Sequence, residues 1–152
     1  MYSYINFFLP MLFGWFCAQA PKFTYKMIRY RPKDWFGTLV SSGGMPSTHT
    51  ASVMAMVTRI AISQSFKGPL FALAGVFAFV TMYDAFNVRL ACGRAIDRVN
   101  QLIDKTYDAD DPEKPEKVPA SHGHTFAEVA VGFLIGVAVG VVYTIVETHI
   151  MG

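Results

Sequence analysis

Charged residues are scarce in this 152-residue chain: Asp, Glu, Lys and Arg make up 16% of it, against about 25% in an average soluble domain. Disordered chains, coiled coils and soluble nucleic-acid-binding modules need more charge than this, so we expect no nucleic-acid partner. Hydrophobic residues, in contrast, make up 53% of the sequence. The composition therefore predicts a small protein that crosses a membrane several times.

Cysteine is also scarce, with two residues in the chain. Cys17 and Cys92 lie in or beside apolar stretches, and their spacing fits neither a disulfide framework nor a zinc site. The N-terminus lacks a positively charged region before its first apolar run and a small-residue cleavage site after it. This pattern predicts a retained membrane helix in place of a cleaved signal peptide.

The apolar residues are grouped into windows of helical length. Crossing a hydrocarbon core about 30 Å thick requires about 20 mostly apolar residues in a helix. Four windows approach that requirement, at about residues 2–20, 45–62, 69–105 and 124–146. The third becomes charged after about residue 87, which indicates one long helix that leaves the membrane. We expect an all-α fold over residues 1–152, a single integral membrane domain that forms a polytopic transmembrane bundle of about four helices.

Lysine and arginine are concentrated in two segments, residues 22–33 and 89–117. By the positive-inside rule both segments lie in the cytoplasm, and both chain termini lie outside. Residues 106–122 carry three prolines among alternating acids and lysines, a composition that predicts a mobile loop. We therefore expect an integral protein of a bacterial inner or plasma membrane, with basic segments that contact membrane lipids.

The segment at the start of the second window, residues 41–49, reads SSGGMPSTH. Paired glycines allow a turn in which backbone N–H groups converge, and Pro46 suits the first turn of a helix. Such N–H groups bind anions, above all phosphate, and the hydroxyls of Ser47 and Thr48 add donors. His49 is then placed to donate a proton to a leaving oxygen. The segment predicts a phosphate site with a general acid.

A second histidine segment, SHGHTFAE at residues 121–128, precedes the fourth window. On a helix His124 and Glu128 share a face, so the carboxylate can hold one imidazole nitrogen while the other points outward. The same face continues through small residues that mark close approach to a neighbouring helix: Gly132, Gly136 and Gly140. The ionisable pair therefore faces the bundle interior. Both histidine segments begin helices that enter from the same side of the membrane.

These two motifs resemble those of a known superfamily. GGMPSTH resembles the Pro-Ser-x-His motif of the type 2 phosphatidic acid phosphatase (PAP2) and vanadium haloperoxidase superfamily, and GHTFAE resembles its His-x-x-x-Asp/Glu motif. Over about residues 5–145, including MYDAFNVR at residues 82–89, the chain most resembles the divergent bacterial and plant branch. The resemblance implies a PAP2-like helix bundle that hydrolyses a lipid phosphate or pyrophosphate.

The resemblance also implies a role for each matching residue. His124 would be the nucleophile that forms a phosphohistidine, Glu128 the carboxylate that orients it, and His49 the acid that protonates the leaving group. The phosphatase reaction that the resemblance implies needs no metal, and we expect no cofactor. The candidates for substrate binding are Ser47, Gly44, Thr48, Arg31, Lys26, Arg89 and Asp84.

The chain departs from the superfamily pattern at its first motif. That motif has a lysine seven residues before an Arg-Pro pair. Arg31 and Pro32 are present here, but the lysine position is occupied by Thr24. Lys22 and Lys26 lie on either side of it, and the basic cluster that contains them also serves as a topology signal.

A second departure concerns the arginine that the superfamily has six residues before its nucleophile. That position is Val118 here, and Arg89 or Arg94 at the cytoplasmic end of the third helix is a candidate replacement. The departure leads to an alternative function, a catalytically inactive protein that binds or transports a lipid phosphate and keeps the phosphate cradle.

Further alternatives remain open. Asp84 and Arg89 form either an ion pair near the membrane boundary or part of the substrate site. Superfamily members usually have six helices, so four spans predict a homodimer that completes the bundle. A metal site would draw its ligands from the same segments: His49, His122, His124, Glu128 and Asp84.

Overall fold

The computed structural model describes residues 5–40, 43–108, 110–119 and 123–151. Regular structure over these residues is entirely helical, which confirms the predicted all-α class. A π-helical turn at Asp84–Val88 joins the fourth helix to the fifth. The helices are α1 (Ile5–Tyr30), α2 (Trp35–Val40), α3 (Thr48–Gln64), α4 (Pro69–Tyr83), α5 (Arg89–Thr106) and α6 (Phe126–Met151).

Two helical segments of the described residues are long and apolar enough to cross a membrane, Pro69–Thr106 and Phe126–Ile150. The sequence predicts about four. α3 has 17 residues and begins with hydroxyl and imidazole side chains, whereas Asn6 and Gln19 interrupt the apolar run of α1. Both of these amides are buried and donate hydrogen bonds to other parts of the bundle. Length and hydropathy therefore support two spans, and α1 and α3 pack beside them.

α3 forms the centre of the bundle and packs against α1, α4 and α6. Its neighbours approach closely because they present glycines: a Cβ at Gly14 of α1 or Gly136 of α6 would lie 2.6 or 2.5 Å from the Ala51 carbonyl oxygen. Gly132 and Gly140 make similar contacts with α3 on either side of Gly136. The predicted glycine contact face is confirmed. Because these contacts advance in the same direction along both helices, α3 and α6 are parallel and begin at the same end.

Gly136→Ala should destabilise the bundle by about 1–3 kcal/mol, because the added methyl group would overlap backbone and Cβ atoms of α3. Gly75→Ala on α4 is the matched control, since its Cβ would meet nothing within 4 Å. Loss of backbone entropy in the unfolded state should make this control neutral or slightly more stable. Thermal unfolding in detergent measures both. Equal unfolding temperatures for the two variants would contradict close α3–α6 packing.

A buried ion pair joins α3 to α6 at the end of the bundle opposite their N-termini. Arg59 Nη2 lies 2.6 Å from Glu147 Oε2, and the two side chains are 2% and 7% exposed. The Asn6 amide of α1 donates a 2.8 Å hydrogen bond to Glu147 Oε1, and the Arg59 guanidinium lies over the Phe7 ring. Three helices are thus joined at one point by charges that water does not screen.

The segment after α5, for which the sequence predicts a mobile loop, is held against that helix in its described part. Asn100 exchanges two 2.9 Å hydrogen bonds with the backbone N–H and C=O of Val118. Lys114 and Lys117 both form ion pairs with Asp104, one turn further along α5. These contacts hold Lys114, Lys117 and Val118 against α5.

Candidate functional site

The two histidine motifs meet through their backbones. The N–H of Ser47 donates a 3.0 Å hydrogen bond to the carbonyl oxygen of Glu128. Ser47 is fully buried and caps α3, and its hydroxyl oxygen accepts from the backbone N–H and the hydroxyl of Thr50 at 3.4 and 3.0 Å. The Ser47 side chain is thereby fixed in place.

The start of α6 is capped by Thr125 and Glu128. The Thr125 N–H donates to Glu128 Oε2 at 2.7 Å, and the Glu128 N–H donates to Thr125 Oγ1 at 3.4 Å, a reciprocal capping box. The sequence predicts a helix from about residue 124, whereas α6 begins at Phe126, so His124 precedes the helix. Glu128 Oε2 lies 3.5 Å from His124 Nδ1, within ion-pair distance. One carboxylate thus caps the helix and faces the imidazole.

His124 is anchored on the π-helical turn. Its N–H donates a 2.9 Å hydrogen bond to the carbonyl oxygen of Ala85. Gly123 lies directly against the same turn, where a Cβ would overlap the backbone nitrogen of Leu90. π-Helical turns inside α-helices are frequently found at functional sites. The spacing of the motif residues predicts neither the π-helical turn nor the need for glycine at position 123. Both features fix the position of the imidazole.

The first-turn residue His49 lies on the exposed side of α3. Its electrostatic neighbours are Arg89, Lys22 and Asp84, and it also lies within electrostatic range of His124. Asp84 and Arg89 form an ion pair across the π-helical turn, which is one of the two alternatives that the sequence leaves open. The fold thus brings the two histidines together with a cation from α1 and another from α5.

Burial dominates the environment of His124, which is 5% exposed. It lowers the pKa of His124 below the ordinary value of 6.5, against an opposing effect of the Glu128 carboxylate. At neutral pH the imidazole is therefore uncharged and keeps a free electron pair. This is the form that a nucleophile requires.

The residues Lys22, His49, Arg89, His124 and Glu128 form a cluster. Lys22 belongs to this cluster but to neither histidine motif. Its side chain is 6% exposed, and Nζ has no hydrogen-bond partner in the described part of the chain. Lys26 and Glu128 are its electrostatic neighbours. α1 continues about ten residues beyond its predicted end, and this extension carries Lys22 to the site. Ala18 and Gln19 are buried at helical spacing before it, a pattern by which an inward-facing lysine could be recognised.

The remaining candidates lie at different places around this cluster. Thr48 is buried at the first position of α3, and Gly44 lies in the preceding turn with a φ of +78° and open space around it. Lys26 is half-buried one helical turn after Lys22. Arg31 is exposed in the turn after α1, and within the described ranges no hydrogen bond or ion pair joins it to either histidine.

The cluster has the chemistry of an anion site. Among the residues that the structure describes, no group of three His, Cys, Asp or Glu side chains could hold a metal ion, and His122 lies outside those residues. The cluster offers a buried ammonium, a guanidinium, a hydroxyl and two imidazoles at the N-termini of two helices. Such groups match a phosphate, whose oxygens take the donors while an imidazole approaches phosphorus.

Both histidine motifs lie within a stretch that matches a known family. Residues 5–139 match the model of a family described as the Divergent PAP2 family. The sequence is 35% identical over 130 residues to a protein of Bacillus subtilis (strain 168) named "Uncharacterized membrane protein YuiD", a match that covers 79% of this chain and 82% of the relative. No solved structure matches the chain.

Proposed function

Because this chain belongs to the divergent PAP2 family, we propose that it is a membrane-embedded phosphatase that hydrolyses a lipid phosphate or pyrophosphate. The observation that carries the proposal is the buried Lys22 ammonium, which has no hydrogen-bond partner among the described residues and lies within electrostatic range of His124 and Glu128. A buried cation is costly unless anions neutralise it and accept its hydrogen bonds. A phosphate bound beside His124 would do both.

In the proposed reaction His124 Nε2 attacks phosphorus, and the N–P bond forms as the bond to the leaving oxygen breaks. His49 donates a proton to that oxygen. Water then attacks the phosphohistidine and gives a proton to His49, and the N–P bond breaks to release inorganic phosphate. Glu128 faces Nδ1 and favours the tautomer with the proton there, which leaves Nε2 free. Lys22 neutralises charge on the phosphate oxygens.

The proposed membrane frame has four spans, with α1 and α3 crossing beside the two apolar helices. α3 and α6 are parallel, and the basic segments 22–33 and 89–117 flank the end of the bundle at which both begin. The positive-inside rule then predicts that the end of the bundle with the histidines faces the cytoplasm. The substrate headgroup would lie in the inner leaflet.

Lys22→Met should raise KM for a lipid phosphate at least about tenfold, because the variant keeps most of the side-chain length and removes the charged ammonium group. Lys33→Met, on the exposed part of the same basic segment, is the matched control and should change KM less than about twofold. Phosphate release from a panel of lipid phosphates in detergent gives both values. An unchanged KM in Lys22→Met would contradict the proposed site.

One observation favours a second function, binding or transport of a lipid phosphate without turnover. Val118 occupies the position of the superfamily's arginine, and its backbone is held by Asn100 on the surface of α5. That position therefore offers no cation to the phosphate. The same panel separates the two functions, because a binding protein would bind orthovanadate tightly and release no phosphate from any lipid.

A further inference from the structure

An apolar groove of about 470 Å³ runs between α4 and α6. Its walls include Phe79, Met82 and Phe86 on one side and Phe126, Ala130 and Leu134 on the other. Phe79, Phe126 and Leu134 are each more than 60% exposed, so the groove is open along its length. In a membrane this opening faces the hydrocarbon chains of the bilayer.

One end of the groove lies at the candidate phosphate site. Phe86 belongs to the π-helical turn and follows Ala85, whose carbonyl oxygen holds the N–H of His124. Phe126 is the first residue of α6, two positions after His124. The two rings meet edge to face, with centroids 5.9 Å apart. The aromatic pair therefore forms the end of the groove that is nearest to His124.

A second apolar groove, of about 460 Å³, lies between α1 and α6 and has different surroundings. The part of α6 that lines it begins at Ala138, about 15 Å along the helix from Glu128. A molecule in this second groove would not reach the histidines with its end. Of these two grooves, the one between α4 and α6 has an end next to the candidate phosphate site.

We propose that the groove between α4 and α6 holds the hydrocarbon chain of the lipid phosphate while its headgroup lies between Lys22 and His124. This inference rests on the proposed function and adds where the long chain of that substrate lies, in a groove that it enters sideways from the bilayer. The surroundings of the groove select this occupant: Lys22 and Arg89 of the neighbouring site attract a phosphate, and the apolar walls accept the chain.

The groove affects the orientation of the bound lipid phosphate more than the affinity of the protein for it. A chain that moves from lipid into an apolar groove gains little from the hydrophobic effect, because both surroundings are apolar. It loses freedom of rotation, however, and its phosphate is held at a fixed depth and angle to the imidazole. Such positioning raises the rate of attack. Long-chain substrates should therefore be favoured through kcat/KM, whereas short water-soluble phosphates gain nothing.

Ala130→Trp tests this inference by filling the groove, and Ala138→Trp is the matched control with the same substitution on the same helix in the other groove. Two substrates are compared for each, a long-chain lipid phosphate and p-nitrophenyl phosphate. Ala130→Trp should lower kcat/KM for the lipid at least tenfold and leave the soluble substrate within twofold. Ala138→Trp should change neither. Leu134→Trp, at an exposed position of the same groove, should repeat the effect if Ala130→Trp fails to fold.

Other results would overturn the inference. An equal loss of kcat/KM for both substrates would indicate distortion of the site. An unchanged kcat/KM for both would indicate that bulk lipid occupies the groove. Cross-linking between copies that disappears in Ala130→Trp would assign the groove to a second copy of the chain.

Failure of the proposed function has a different signature, since wild-type protein would then hydrolyse neither substrate. The groove can still be tested in that case with a photoactivatable long-chain alkyl phosphate in membranes. Labelling of α4 and α6 that unlabelled alkyl phosphate displaces, and that Ala130→Trp removes, would support the groove. Equal labelling by the same chain without a phosphate would overturn it.

Discussion

Replacing His124 with alanine should lower phosphate release from a lipid phosphate by at least about a thousandfold, because removal of a nucleophile leaves only binding and charge stabilisation to promote the reaction. The fold should survive, since the backbone N–H that anchors residue 124 to Ala85 is retained. His149→Ala is the matched control. His149 lies exposed near the end of α6, where its ring contacts the carbonyl oxygen of Ile145, and its loss should leave turnover unchanged.

Rapid quenching with a radiolabelled lipid phosphate tests the covalent step directly. Wild-type protein should carry a phosphoryl label that is stable in base and labile in acid, and His124→Ala should carry none. The leaving oxygen of a lipid phosphate needs a proton, whereas a leaving group with a low pKa does not. His49→Ala should therefore slow hydrolysis of the lipid phosphate more than hydrolysis of a substrate whose leaving group has a low pKa. Normal turnover by His124→Ala, or a label on another residue, would exclude the proposed nucleophile.

The pH profile follows from the same residue. Because burial lowers the pKa of His124 below 6.5, the neutral imidazole persists into mildly acidic solution. kcat/KM should rise as pH rises through this lowered pKa, so its acidic limb should lie below pH 6.5. The limb should be absent from the residual activity of His124→Ala.

Arg59→Ala or Glu147→Ala should each destabilise the folded protein by about 3–5 kcal/mol, because either change leaves one buried charge without its partner. This loss concerns the free energy of unfolding, whereas His124→Ala affects phosphate release. The ion pair lies at the end of the bundle far from His124. Unfolding in mixed micelles with increasing denaturing detergent measures the free energy. Each variant should unfold at a clearly lower detergent fraction than the wild type.

The paired replacement Arg59→Met with Glu147→Leu is the control for this prediction. It removes both charges and fills the space with apolar side chains, so it should restore much of the stability lost in either single variant, reduced by the hydrogen bond that the Asn6 amide then loses. The coupling energy from a double-mutant cycle of Arg59→Met, Glu147→Leu and the paired variant should exceed about 1 kcal/mol. Additive losses would mean that the two charges do not act as a pair inside the bundle.

Local sequence patterns predict the parts of this molecule that depend on helix periodicity. The glycine spacing from Gly132 to Gly140 identifies the contact face of α6, because residues four apart share one side of a helix wherever the partner lies. The shared entry side of the two histidine segments follows from the positions of basic residues. Both predictions need no knowledge of how distant segments pack.

The parts that the motifs miss all depend on distant contacts. Lys22 reaches the site because α1 continues past Pro21, a residue that usually ends a helix but is tolerated here within 26 helical residues. The site also needs the π-helical turn, whose Ala85 carbonyl oxygen accepts from a residue 39 positions later. The Asn100–Val118 contact converts part of an expected mobile loop into a fixed connection. Residue spacing alone does not encode such pairings.

The wide turn at Asp84–Val88 has a geometric consequence for the long helix that contains it. One extra residue in a turn rotates everything beyond it by about 100° relative to an uninterrupted helix. The turn therefore determines which side of the charged half after it lies in line with a given side of the apolar half before it. Arg89, the first residue of α5, lies just beyond this offset, where it pairs with Asp84 across the turn and lies within electrostatic range of His49.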